Sequence, residues 1–194
     1  SIAHLPEEPG PVLRPGARVA GVLTREKPRT YHTITVRENQ PVLLDVRGDA
    51  GDLVVIVSGS YRYRVDLDLG RDRAHEQVVL PFAGEYAVVI QTERNAGKPL
   101  PYEIRAGFLR ARDLSAGDVP LIKSLELHSP ALFRFQYSEP VLLDGSSASA
   151  EGPDADVSVT VYQRTVDGRI EVCEHDADRR GITSHETVLI RQWG

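Results

Sequence analysis

Tyr61, Tyr63, Val65, Leu67 and Leu69 alternate with Arg62, Arg64, Asp66 and Asp68, so an extended segment here has one apolar side and one charged side. A period of two belongs to a strand, whose successive side chains point to opposite faces. Shorter alternations over Tyr31 to Val36, Val42 to Val46, Leu53 to Val57, Glu85 to Ile90 and Tyr102 to Phe108 predict further strands. They are separated by turn-forming clusters such as Arg47-Gly48-Asp49-Ala50-Gly51-Asp52 and Asn95-Ala96-Gly97-Lys98-Pro99. Downstream, Leu132 to Tyr137, Val141 to Asp144, Val157 to Tyr162 and Arg169 to Cys173 resume the pattern, and Asp167-Gly168 predicts a two-residue hairpin turn. No window carries an apolar stripe of helical period. The best helical stretch, Ala111 to Gly117, reads as a connector, and Ser1 to Gly16, with four prolines, reads as an extended lead-in outside the core. Strands at this spacing predict an all-β sandwich or barrel.

The pattern also repeats. Pro41-Val42-Leu43-Leu44-Asp45 returns as Pro140-Val141-Leu142-Leu143-Asp144, an offset of 99 (140 − 41). Val78 to Gly84 matches Val188 to Gly194, an offset of 110 (194 − 84), the extra residues falling in the loop Gly145 to Asp156. Ordered flanks make duplication the reading. The expected organisation is a lead-in at 1–16, a first module at 17–110 that folds alone, a connector at 111–117, and a second, related module at 118–194. The second stops where counterparts of Glu85 to Ile90 and Tyr102 to Phe108 would begin. It is therefore expected to have an open edge, with Phe133, Phe135, Val157, Val159 and Val161 wanting cover and with strand exchange or dimerisation as one way to supply it.

Composition narrows the partners. A net charge of −5 without a basic run argues against nucleic acid. No apolar run approaches the ~20 residues of a membrane span. Cys173 is the only cysteine, so no internal disulfide is available. Methionine is absent and the chain opens Ser1-Ile2-Ala3, which reads as a processed or trimmed product.

Several stretches resemble the bacterial pre-peptidase C-terminal domain family. They are Tyr31 to Val36, Leu53-Val54-Val55-Ile56-Val57, Gly84-Glu85-Tyr86-Ala87-Val88-Val89-Ile90 in place of a Gly-x-Tyr-x-Val-x-Val strand, and Gly97-Lys98-Pro99-Leu100-Pro101-Tyr102-Glu103-Ile104 in place of the closing strand. In the second module, Val161 to Arg169 is similar to the family's mid-domain hairpin. The resemblance implies two tandem jelly-roll-like antiparallel β-sandwich modules, the second incomplete. It further implies a non-catalytic accessory region of a larger, exported bacterial protein, extracellular or periplasmic, that contacts a protein partner or the remainder of its own polypeptide. Relatives in clostridial collagenases bind calcium and collagen; their acidic lead-in has only Glu7-Glu8 here, so that function is not carried over. A calcium-dependent carbohydrate- or protein-binding module and a pro-region docking on a protease are the alternatives.

Candidate chemistry is sparse. Cys173 and His175 would share one face of a strand and, with His185, offer three zinc ligands, but a fourth ligand and paired spacing are missing. Asp144, Glu151, Asp154 and Asp156 offer oxygen ligands for calcium without the spacing of a calcium loop. No structural metal and no cofactor is expected. Ser58-Gly59-Ser60 lacks the strand-turn-helix setting of a nucleophile elbow. The row Arg62, Arg64, Asp66, Asp68 is a candidate binding face, because arginine forks onto carboxylates. Trp193 is a candidate stacking residue whose place near Gly194 favours core packing.

Overall fold

A computed structural model describes residues 10–49, 53–59, 62–65, 74–92, 98–114, 130–134, 141–148, 159–164, 170–175 and 183–190. Every regular element among them is a strand. The chain divides into two compact units, Ser1–Arg134 and Phe135–Gly194.

Eight strands of the first unit form two four-stranded sheets. They are β1 (Arg18–Leu23), β2 (Arg29–Val36), β3 (Val42–Gly48), β4 (Leu53–Ser58), β5 (Arg62–Val65), β6 (His75–Leu80), β7 (Gly84–Thr92) and β8 (Leu100–Phe108). One sheet has the order β1-β8-β3-β6 and the other β2-β7-β4-β5, all neighbours antiparallel. Consecutive strands alternate between sheets except at the β4–β5 hairpin, which is the strand order of a jelly roll.

Alternation builds the core. Leu44 and Val46 on β3, Val55 and Val57 on β4, Tyr86, Val88 and Ile90 on β7, and Ile104 on β8 are fully or almost fully buried. The residues between them face outward, among them Asp45, Arg47, Glu85 and Arg105. Each buried aliphatic or aromatic side chain contributes about 1.5–3 kcal/mol, so the inward rows supply the driving force and fix the register. Tyr86 reaches the rim, where its hydroxyl donates to the Phe82 carbonyl at 2.8 Å.

The lead-in differs from expectation. Gly10 N–H donates to the Tyr31 carbonyl at 2.7 Å and Leu13 N–H to that of Thr33 at 2.8 Å, so the segment runs along the outer edge of β2. Leu13 is 3% exposed. Proline lacks an amide hydrogen, but the non-proline residues between supply enough donors to cover a strand edge that would otherwise be bare.

The connector also differs. Ala111–Asp113 is a strand, β9, paired in parallel with β10 (Leu132–Arg134). Arg134 forks onto the Asp113 carboxylate at 2.7 and 3.3 Å and reaches Asn39 Oδ1 at 3.2 Å. Those bonds keep Leu132 to Arg134 with the first unit, so the division falls at 134/135 and not at 111–117.

The second unit contains β11 (Val141–Ala148), β12 (Val159–Arg164), β13 (Ile170–His175) and β14 (Thr183–Ile190). β11 pairs with β14 and β12 with β13, both antiparallel. Val161 is buried there at 8% exposure. Asp167-Gly168 lies outside the described residues.

Candidate functional site

The polar interior of the first unit centres on His32. The parity of β2 places Thr30, His32, Ile34 and Val36 in one inward row, which puts an imidazole into the sandwich at 1% exposure. Its Nδ1 lies 2.9 Å from the Pro11 carbonyl oxygen. A carbonyl only accepts, so Nδ1 carries the proton and Nε2 accepts from the Tyr102 hydroxyl at 3.1 Å. The rings meet edge to face, centroids 6.3 Å apart. Burial pushes the His32 imidazole below its ordinary range, against the bond to Pro11, and it raises the Tyr102 phenol, against a hydrogen bond with the Thr30 side chain.

Two glycines make room for this pair. A Cβ on Gly21, opposite Tyr102 across the β1–β8 ladder, would lie 2.2 Å from the Tyr102 hydroxyl oxygen. One on Gly10 would lie 2.6 Å from His32 Cε1 and 2.9 Å from the Tyr31 carbonyl oxygen. The chain Pro11–His32–Tyr102 thus ties the lead-in and both sheets together.

The outer face of the β1-β8-β3-β6 sheet carries a second polar group. His75 on β6 contacts Asp45 Oδ1 through Nε2 at 2.7 Å, and Arg47 donates to both Asp45 oxygens at 3.2 and 3.0 Å. Arg105 donates to Glu103, which Arg18 also approaches at 3.8 Å. The bond from Arg105, with the nearby guanidinium charges, holds the exposed Glu103 carboxyl below its usual range. These are cross-strand and same-strand pairs that oppose charges along the ladder.

The opposite sheet presents a shallow groove of about 570 Å³ over β2, β7 and β4, lined by Thr33, Thr35, Ser58, Gly59, Glu85 and Ala87 among others. Arg62 stands opposite Ser58 and Arg64 opposite Ile56 on β5, next to that strip. Asp66 and Asp68, the rest of the candidate row, lie outside the described residues.

The metal candidates are not gathered onto one ladder. Cys173 stands opposite Val161 and His175 opposite Val159 in the β12–β13 pair, whereas His185 stands opposite Ser146 in the β11–β14 pair. Asp144 faces Thr187 on that second ladder. Glu151, Asp154, Asp156 and Trp193 lie outside the described residues. Among the described residues no group of three or more His, Cys, Asp or Glu side chains is placed to hold a metal ion, and no helix is long and apolar enough to cross a membrane.

The first unit is therefore a jelly-roll β-sandwich whose described histidines both serve as structural hydrogen-bonding groups. No protein-family model and no curated protein sequence matches the chain. Among solved structures it is similar to the pre-peptidase C-terminal domain of collagenase from Bacillus anthracis, with a TM-score of 0.43 and 14% identity over 53% of this chain and 98% of that one. It is also similar to PliG, a periplasmic inhibitor of g-type lysozyme. The Aeromonas hydrophila protein gives a TM-score of 0.38 and 18% identity over 50% of this chain and 93% of that one. The Salmonella Typhimurium protein gives 0.35 and 19% over 51% and 99%. At these scores no property of the neighbours is read across, and the architecture rests on the strand order itself.

Proposed function

We propose that the chain is a non-catalytic interaction region of a larger exported bacterial polypeptide, contacting a protein partner through its sheets. The observation that supports this reading is the use made of the two histidines described in the first unit. His32 is held between a carbonyl and a phenol inside the sandwich, and His75 is held on a carboxylate already forked by Arg47. A general base needs reach to a substrate proton; His32 faces Pro11 and Tyr102 instead. What remains outward is a broad β surface with a shallow groove and alternating charge, suited to a polypeptide surface better than to a small molecule, which wants a deep apolar pocket. Export and the accessory role come from the sequence resemblance.

The test joins the chain to whatever enzyme shares its polypeptide or operon and compares that enzyme's action on macromolecular and on small substrates. The reading expects an effect on the macromolecular substrate alone. Hydrolytic turnover by the purified chain, abolished by His75→Ala, would overturn it.

A further inference from the structure

The segment at residues 10–14 closes His32 in from outside. The Gly10 and Leu13 amides hold it to β2 by donating to the Tyr31 and Thr33 carbonyls at 2.7 and 2.8 Å, and His32 Nδ1–H donates to the Pro11 carbonyl at 2.9 Å. Gly10 sits so close over the imidazole that a Cβ there would meet Cε1 at 2.6 Å and Nδ1 at 2.8 Å. Leu13 is the buried anchor, while Pro11, Val12 and Arg14 are exposed.

The segment ends at a pivot. The Ala17 N–H donates to the Arg14 carbonyl at 2.9 Å, closing a turn in which Gly16 has a φ of 87°, left-handed backbone that glycine adopts without strain. From Gly16 onward the chain belongs to the other sheet, with the Gly16 N–H donating to the Ala106 carbonyl at 2.7 Å and the Ala106 N–H to that of Ala17 at 3.3 Å. Residues 10–14 can therefore leave β2 while the β1–β8 ladder stays whole. Among the described residues, two main-chain bonds and one buried apolar side chain hold them, in addition to the bond from His32, and such a segment opens at lower cost than a core strand.

The groups around the imidazole decide when it opens. From β8 comes the Tyr102 hydroxyl, which donates to Nε2 and is itself bonded by Thr30. On β7 Val88 stands opposite in the ladder, and residues 10–14 bring the Gly10 backbone and the Pro11 carbonyl. Tyr102 is the titratable group of this set, and it is neutral across pH 5 to 7.5. The charged residues of the same elements lie outside it: Arg14 and Arg29 are exposed, and Glu85, Glu103 and Arg105 alternate outward. Both ring nitrogens are thus matched to a neutral imidazole. A second proton, on Nε2, would meet a hydroxyl whose hydrogen already points at it, and would place a full charge at 1% exposure.

We propose that residues 10–14 form an acid-released strap: protonation of His32 lifts the segment from β2 about the turn at Arg14 to Ala17 and bares the edge carbonyls of Tyr31 and Thr33, with both sheets intact. The strap belongs to the first unit and does not depend on what the chain binds. The sign follows from linkage. Burial holds the closed imidazole below its ordinary range, and lifting the strap returns it to water, so the open state binds the proton more tightly and acid favours it. An open imidazole titrating near 6.5, against a closed one still neutral at pH 5, sets a ceiling of about 30-fold on the shift between pH 7.5 and 5.

The experiment follows native-state hydrogen exchange of the full chain over a urea series at both pH values, corrected for the intrinsic rates. The Gly10 and Leu13 amides should exchange ~100-fold or more faster than those of β7, through an opening insensitive to low urea. Their protection should fall by about 5-fold or more at pH 5, and His32→Gln should abolish that fall. Gly10→Ala wedges the strap, so it should speed both amides at pH 7.5 while β7 stays protected, and should move the His32 titration, read by NMR, up towards 6.5. A merely structural contact would leave that titration in place, and it decides the matter should His32→Gln not fold. Strap amides that exchange only together with β7, a fall in protection that persists in His32→Gln, no fall at all, or an unmoved titration in Gly10→Ala would each overturn the proposal.

Discussion

Replacing Tyr102 by Phe removes one oxygen from the centre of the first unit. His32 Nε2, on a side chain 1% exposed, loses the donor 3.1 Å away, and Thr30, 7% exposed, loses a hydrogen-bond partner. A buried polar group left without a partner costs about 1–3 kcal/mol. Two such groups around one vacated position should cost the first unit about 2–4 kcal/mol, a large share of a domain's net stability. The pair should also be coupled. Once His32 is Leu, Tyr102→Phe should cost at least ~1 kcal/mol less than it does in the wild type. Two units make a single global melt ambiguous, so the measurement is native-state hydrogen exchange at β2 and β8 amides over a urea series. A loss below ~0.5 kcal/mol, or strict additivity with His32→Leu, would refute the account of Tyr102 as the donor that satisfies His32.

The neutral state of His32 gives the first unit a pH dependence. Because the folded imidazole is depressed, its contribution is fully present above the unfolded value near 6.5 and is lost as pH falls through the lower folded value. The stability read from exchange at β2 and β8 amides over a urea series should be lower at pH 5 than at pH 7.5 in the wild type, and the difference should shrink in His32→Leu. Gly21→Ala should cost about 1–3 kcal/mol, since its Cβ must displace a ring held by His32; native-state exchange at β1 and β8 amides showing a loss near zero would mean Tyr102 moves freely. Asp45→Ala should cost about 1–2 kcal/mol by removing an acceptor from His75 and Arg47 together, measured as faster exchange on β6. Arg134→Ala should speed exchange at Leu114, whose N–H donates to the Arg134 carbonyl at 2.8 Å, without moving the global transition.

The strands that bury one clean side were legible. Tyr31 to Val36, Leu53 to Val57, Glu85 to Ile90 and Tyr102 to Phe108 were expected within a residue or two of β2, β4, β7 and β8, because parity alone reveals them. β1 was missed, since Arg-Val-Ala-Gly-Val-Leu leaves Ala20 and Val22 exposed and turns Gly21 inward, which blurs the alternation. β6 was missed because its inward row opens with a buried glutamate, Glu76 at 0% exposure. His32 carries a signal in the sequence: it shares parity with Ile34 and Val36, and a polar residue in an apolar row marks a buried hydrogen-bonding group. Its bond to Tyr102 joins residues far apart in sequence, and no local pattern announces such a pairing. The connector was misread for the opposite reason. Ala111 to Asp113 becomes a strand only through its ladder with Leu132 to Arg134, which propensity does not contain.

The jelly-roll order also dictates when the chain can fold. In the first unit Arg18 waits for Arg105, Thr30 for Ile90, and Val42 for both Leu80 and Phe108; among its described strands only the β4–β5 hairpin closes locally. Contacts of such long sequence separation make for slow folding, because loop closure must be met before the pairing rewards it. During synthesis the ribosome would expose β1 to β6 with their inward rows uncovered until β7 and β8 emerge, since β7 sits between β2 and β4, and β8 between β1 and β3. That interval is when unpaired strands are most open to chaperones and to misassembly with neighbouring chains.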